Sequence, residues 1–369
     1  MGCKTSSSVT PDIEQIANQS RAINVKDGET FENAFQKLDE EILLLEMRCP
    51  GARLATAEAW VEHLESLKRQ NELPIDFSDD PFTVQDTKPS LSSEKEDLHK
   101  VRTIALQLGI TVDGRKAVEQ EEFMAKVSAR SIHITDDQLH LEMIQHGEQR
   151  IEDLKQEFTR LKSLYEEQDG LWASITGGIY SSALEERLER ELSEARQMRD
   201  RLASVAEQWR TSGALLQAAT KCSQQVIQYW NLIPLTRKMD DKLSLVLDCR
   251  HALQAAIKAY EGAQSALPQA EILRNRLLAS VKNASLYLIT DMVNEKKYEQ
   301  AKKAFEDFQE ILTGTLSWLQ NTFSESLGKD IRDSEEVMVQ LAKRLRQERL
   351  KFIATQFRHG VYLPRNKER

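Results

Sequence analysis

The chain has 369 residues, of which 40% are hydrophobic, 30% are charged and 6% are aromatic, and its formal net charge is −9. With only 8 prolines and 14 glycines, the composition argues against a sheet-rich fold and favours long helices that bury a single stripe. Because the net charge is negative, we expect no extensive basic surface that could contact phosphates, and therefore no nucleic-acid partner. No apolar run approaches the ~20 residues that span a bilayer. The four cysteines, Cys3, Cys49, Cys222 and Cys249, lie far apart, which is typical of a reduced cytosolic protein.

The N-terminal quarter of the chain divides into three segments. Residues 1–28 are small and polar, and we interpret them as a flexible N-terminal tail that carries lipid. Apolar residues at helical spacing predict a helical hairpin over 29–73, with Pro50 and Gly51 at its turn. Residues 74–93 contain three prolines and four aspartates, which is typical of an acidic linker.

The long middle segment, residues 94–333, is predicted to form an elongated helical and coiled-coil bundle. Apolar residues recur at sevenfold spacing from Leu188 to Trp230 and continue a similar seam that precedes Gly177 and Gly178. A glycine pair between two such seams predicts a long antiparallel coiled-coil hairpin. The expected fold class is therefore all-α.

Three local signals predict helix boundaries inside this segment. Thr135 followed by Gln138 matches a capping box, which predicts that a long helix begins there. Pro234 is expected to end or kink the second helix of the hairpin, because proline lacks the N–H that helix hydrogen bonding needs. A single helix is expected over 269–312.

The C-terminal segment, 334–369, is predicted to be a basic amphipathic helix and tail. Residues 343–369 hold nine basic and two acidic side chains, a net charge of +7. Such a segment can lie on anionic lipid, dock on an acidic partner or bind calmodulin. The alternative is a last bundle helix whose polar side happens to be basic. The candidate contacts with a membrane or an acidic partner are Lys343, Arg344, Arg346, Arg349, Lys351 and Arg358.

The sequence contains no recognisable catalytic motif. It has no glycine-rich phosphate loop, no HExxH and no GxSxG. His140 and His146 are six residues apart, which does not place two metal ligands on one helical face. We therefore expect no enzymatic activity, no catalytic residue, no metal site and no cofactor.

The opening MGCKTSSSVT contains an acylation signal. Gly2 followed by Ser6 matches the N-myristoylation pattern M-G-x-x-x-[ST]. The first three residues are similar to the N-termini of Src-type kinases and inhibitory G-protein α subunits, in which the glycine is myristoylated and the neighbouring cysteine palmitoylated. This resemblance covers fewer than ten residues and concerns targeting alone. It implies N-myristoylation of Gly2 and S-palmitoylation of Cys3.

These features predict a non-enzymatic scaffold or adaptor, anchored by lipid to the cytoplasmic face of the plasma membrane or an endomembrane. A soluble cytosolic pool is also expected. Partners would be the membrane itself, other proteins bound through helical surfaces, and a second copy of the chain in a homodimer. Two alternatives stay open: a BAR-like dimer that binds curved membranes, and a cytosolic coiled-coil protein of trafficking or cytoskeletal complexes.

Overall fold

The structure, a computed structural model, describes residues 31–71, 100–110, 113–177, 182–272 and 275–358. Within these ranges the chain is helical and contains no strand. The all-α fold class is therefore confirmed for the described residues. The elongated bundle and the antiparallel coiled-coil hairpin stay predictions.

The helices are numbered here in chain order. They are α1 (Phe31–Glu46), α2 (Pro50–Asn71), α3 (100–107), α4 (Gly114–Glu119), α5 (Glu121–Thr176), α6 (Ala183–Leu232), α7 (Met239–Ala266), α8 (Asn275–Asp291), α9 (Glu295–Thr322) and α10 (Gly328–Arg358). A short π-helical segment, Phe323–Leu327, joins α9 to α10. Across the described ranges, none of the helices combines the length and the apolar character needed to cross a bilayer.

The structure agrees with the predicted end of α6 and corrects the predicted start of α5. Helix α6 ends at Leu232, two residues before Pro234. Thr135, however, lies inside α5, so the capping box predicted from it is wrong. Its hydroxyl donates to the carbonyl oxygen of Ser131 at 3.1 Å. A threonine can satisfy its hydroxyl within a helix in this way, one turn back, and so does not require a helix start.

The single helix predicted over 269–312 is also wrong, because α8 and α9 are separate helices. The break is explained by Asn294, whose side-chain oxygen accepts from the backbone N–H of Lys296 at 3.1 Å and of Lys297 at 3.4 Å. An asparagine at this position satisfies the free donors of the first helical turn.

The chain forms two compact units, each assembled from separate stretches. Unit 1 contains the described residues of Met1–Leu54, Asp153–Ala203 and Asp330–Arg369, and unit 2 contains those of Ala55–Glu152 and Ser204–Lys329. The segments predicted from sequence are consecutive instead, because composition marks linkers but does not indicate which distant helices pack together.

The core of unit 2 is organised around an aromatic group. The Trp230 ring stacks on Tyr298 with centroids 4.9 Å apart and meets Phe305 edge-on at 5.5 Å. The indole N–H of Trp230 donates to the Tyr298 carbonyl at 3.2 Å, and the Tyr298 hydroxyl donates to the Trp230 carbonyl at 2.8 Å. This reciprocal pair joins α6 to α9 and satisfies the polar atoms that the rings carry into the core.

The core of unit 1 is built from α1, α5, α6 and α10. One apolar cluster joins α1 to α5 and a second joins α6 to α10, with partly buried side chains of α1 packed against the second. Their buried members are Leu38, Ile42, Leu161, Leu164 and Leu171 in the first, and Leu188, Leu192, Met338, Ala342 and Leu345 in the second. Charged side chains lie among these clusters and form the site described next.

Candidate functional site

Unit 1 contains a polar cavity of about 210 Å³, to which all four of its long helical stretches contribute. A volume of this size has room for several water molecules, each of which occupies about 30 Å³. The lining residues are Asp39, Ile42, Leu43, Glu46, Tyr165, Gln168, Asp169, Glu189, Leu192, Arg196, Ala342, Leu345 and Arg349. Four carboxylates and two guanidinium groups therefore line the cavity, and of these Asp169 is exposed.

Glu46 is the most deeply buried of the charged lining residues, with 2% of its surface exposed. Its Oε1 atom pairs with Arg196 at 2.6 Å and accepts a hydrogen bond from the Tyr165 hydroxyl. Burial first, and then the Glu46 carboxylate, raises the pKa of Tyr165 above its ordinary value. The phenol therefore stays protonated and donates to Glu46.

Asp39 connects α1 to two further helices. The side-chain amide of Gln168 donates to Asp39 at 3.0 Å. The Nε atom of Arg346 pairs with Asp39, and its Nη1 atom pairs with Glu40 at 3.2 Å. Arg346, a candidate for contact with a membrane or an acidic partner, thus has its counter-charges within unit 1.

Arg349, another candidate contact, also lies inside this unit. Its guanidinium pairs with Glu185 at 3.0 Å and with Glu189 at 3.1 Å, and it lies 5.0 Å from the centroid of the Trp172 ring. The Glu185 side chain is fully buried. A buried carboxylate requires such a partner, because an isolated charge is strongly disfavoured away from water.

Lys343, Arg344 and Lys351 are the candidates that stay exposed. At 100° per residue, their mean direction on α10 is opposite to that of the buried positions of the same helix. Lys351 makes a 3.8 Å ion pair with Glu348, and its side chain is 76% exposed. The three side chains form what we call the α10 basic face. Helix α10 therefore packs into the core on one side and, over its C-terminal half, carries these basic residues on the other, whereas Asp333 and Glu336 are exposed nearer its start.

The remaining predicted site residues fall outside what the structure describes. Gly2 and Cys3 precede the first described residue, and the side chain of Arg358, at the end of α10, is likewise outside. By spacing alone, Arg358 follows Lys351 by seven residues and shares its side of the helix.

We interpret the polar cavity as a structural feature whose ion pairs specify the register in which the four helices pack. Apart from the exposed Asp169, its charged side chains are paired across helices. A shifted register would leave buried charges without partners. Within the described ranges, no cluster of three or more His, Cys, Asp or Glu side chains is placed to hold a metal ion.

Sequence reasoning missed Glu46, Tyr165 and Arg196. One signal was available, because Glu46 continues the buried stripe of α1 that Leu38 and Ile42 begin, at intervals of four residues. A carboxylate at a core position of an amphipathic helix indicates a partner from another helix. The identity of that partner required the structure.

Comparison of the chain with models of known protein families, with curated proteins and with solved structures finds no match.

Proposed function

We propose that this chain is a non-enzymatic scaffold held at the cytoplasmic face of a membrane by acyl groups on Gly2 and Cys3. The observation that carries the proposal is the opening sequence MGCKTS, which contains a myristoylation signal with an adjacent acylatable cysteine.

A lasting anchor needs a second membrane signal beside the first acyl chain. A myristoyl chain alone binds membranes reversibly, with an association constant near ~10⁴ M⁻¹. A palmitoyl chain on Cys3 adds about 0.8 kcal/mol for each methylene that it buries in the bilayer. The proposed anchor therefore uses Gly2 for membrane encounter and Cys3 for retention.

The α10 basic face supplies a further attraction to the cytoplasmic leaflet. Lys343, Arg344 and Lys351 are exposed, and a basic side chain near an anionic surface contributes about 1 kcal/mol. Because the opposite side of α10 is packed into unit 1, these charges belong to a folded surface and would orient unit 1 on the membrane.

The scaffold part of the proposal rests on the long helices. Helices α5 and α6 have 56 and 50 residues, and helices of this length offer extended surfaces to other proteins. The paired charges within unit 1 would keep such a surface in one arrangement when partners bind.

Metabolic labelling with alkyne-tagged myristate and palmitate tests the acylation directly. Wild type should incorporate both labels, Cys3→Ser should incorporate myristate alone, and Gly2→Ala should incorporate no myristate. Loss of the first chain should also reduce palmitate on Cys3, because the cysteine then reaches the membrane less often. Equal myristate labelling of wild type and Gly2→Ala would refute the proposal.

A further inference from the structure

Unit 2 carries an acidic stretch that has no basic residue. Residues 304–328 contain four acidic side chains and neither lysine nor arginine. All four are exposed. Asp307, Glu310 and Glu325 form no ion pair within the part of the chain that the structure describes. Many other charges of this protein are paired, so these three represent unused negative charge.

An exposed tryptophan lies on the same helix as this charge. Trp318 has 48% of its surface exposed, and its ring lies 6.1 Å from Trp209 of α6. Trp209 in turn lies 6.4 Å from Phe323. Trp209, which is itself in contact with Phe323, therefore supports an indole that still faces solvent. Tryptophan is one of the side chains enriched at binding hot spots.

The spacing of these residues defines one face of α9. Asp307, Ile311 and Trp318 are separated by four and seven residues, which places them on the same side of the helix. Between them, a Cβ atom added to Gly314 would meet nothing within 4 Å, so the surface is open there. Glu325 lies in the π-helical segment that also contains Phe323, and such segments occur often at functional sites. We call Asp307, Ile311, Trp318 and Glu325 the α9 acidic face.

We propose that the α9 acidic face binds a basic amphipathic helix of a partner protein. The apolar side of that helix would pack on Ile311 and Trp318, as in other complexes in which a helix lies in a groove. Its lysine or arginine side chains would pair with Asp307 and Glu325, and a cation over the Trp318 ring gains a further cation–π attraction.

The negative charge of this face favours a basic helix over a lipid surface as its binding partner. Asp307, Glu310 and Glu325 repel an anionic bilayer, whereas they attract a basic helix and increase its rate of encounter. The inference takes from the proposed scaffold function only that the partner is a protein. It does not depend on acylation of Gly2 or Cys3.

The test uses the full-length chain and a fluorescently labelled 14-residue peptide, with leucine on one helical side and lysine on the other. Binding is followed by fluorescence anisotropy at physiological salt. Asp307→Lys/Glu325→Lys and Trp318→Ala should each weaken binding by about tenfold or more, the loss expected of a hot-spot contact. Circular dichroism should show unchanged helix content in both variants.

Two matched controls separate this face from general electrostatic attraction. Glu58→Lys/Glu62→Lys makes the same charge change at exposed positions of α2, and Leu235→Ala removes an apolar side chain that is 77% exposed. Both controls should bind the peptide within about twofold of wild type, because distant surface sites contribute little to a localised contact.

Several results would overturn the proposal. One is that wild type does not bind the peptide. Another is that Glu58→Lys/Glu62→Lys and Asp307→Lys/Glu325→Lys weaken peptide binding equally. A third result would assign the face to a second copy of the chain instead. In that case wild type would fail to bind the peptide but would self-associate in light scattering, and Asp307→Lys/Glu325→Lys would not self-associate. Failure here is distinguishable from failure of the anchor, because Gly2→Ala should keep peptide binding and Asp307→Lys/Glu325→Lys should keep its membrane fraction.

Discussion

Arg250 and Arg349 are both buried arginines, yet their surroundings differ. The Nη2 atom of Arg250 donates to the Ser131 hydroxyl at 3.0 Å, while its buried Nη1 atom has no hydrogen-bond partner among the residues that the structure describes. Burial lowers the pKa of the Arg250 guanidinium to about 10. Arg349, by contrast, pairs with Glu185 and Glu189. Removing the Arg349 charge should therefore lower stability, whereas removing the Arg250 charge should not.

We predict that Arg250→Met leaves the free energy of unfolding unchanged or raises it by about 1–3 kcal/mol. The reason is that an apolar chain of similar length replaces a buried charge that has no counter-charge among the described residues. Arg349→Met should lower it by about 3–5 kcal/mol, because the buried Glu185 carboxylate loses its arginine. Urea unfolding followed by circular dichroism measures both values. Equal losses in the two variants would contradict this account of the buried charges.

The Asp291 side chain lies at a position in unit 2 that disfavours its ionised form. It is the last residue of α8, and only 8% of its surface is exposed. Within the described part of the chain its buried Oδ1 atom has no hydrogen-bond partner. Burial raises the pKa of Asp291 to about 6; Lys297 opposes this rise and Glu121 adds to it. Lys297 is itself paired with Glu121, so it compensates Asp291 only in part.

This geometry predicts that stability falls as Asp291 ionises. The folded-state pKa of about 6 lies above the ordinary value of 3.8, so the stabilising contribution is present below pH 3.8 and is lost as the pH rises through about 6. Asp291→Asn should therefore be more stable than wild type by about 1–3 kcal/mol at neutral pH. The gap in unfolding free energy should narrow as the pH falls from about 7.5 to 5. A gap that does not change with pH would contradict the prediction.

At the scale of one element, α10 shows what the sequence can and cannot predict. Apolar periodicity and net charge predict an amphipathic basic helix, and the structure contains one. Which basic side chains face inward depends on partners such as Asp39, which is 307 residues from Arg346. Local patterns carry no information about such a distant contact.

Some helix boundaries can likewise be predicted from the sequence, and others cannot. Proline acts locally, so the end of α6 before Pro234 could be predicted. Thr135 and Asn294 have side chains that suit either a helix start or another position, and tertiary packing decided between them. The cavity around Glu46 was the least predictable part, since it requires four helices at once.

The two sides of α10 can be separated by mutation. Lys343→Glu/Arg344→Glu/Lys351→Glu should retain the fold and bind anionic vesicles more weakly. Loss of about 1 kcal/mol for each of the three charges corresponds to a roughly hundredfold lower partition coefficient. Sedimentation with vesicles containing phosphatidylserine measures the partition, and vesicles of neutral lipid, where wild type and variant should match, provide the control. Equal binding of wild type and variant to the anionic vesicles would exclude the α10 basic face from membrane contact.

At the scale of the whole molecule, the proposed functions fall in three separate regions of the chain. The acylation signal lies at Gly2 and Cys3, the α10 basic face belongs to unit 1, and the α9 acidic face belongs to unit 2. If all three proposals hold, separate surfaces would serve the membrane and the protein partner, as expected of the proposed scaffold.

The central claim is that acylation holds this chain at a membrane. The most direct test is to fractionate cells that express the full-length wild type, Gly2→Ala or Cys3→Ser. Wild type should be recovered mainly with membranes, Gly2→Ala mainly in the soluble fraction, and Cys3→Ser between the two, because one acyl chain gives only reversible binding. Equal membrane recovery of wild type and Gly2→Ala would contradict the account.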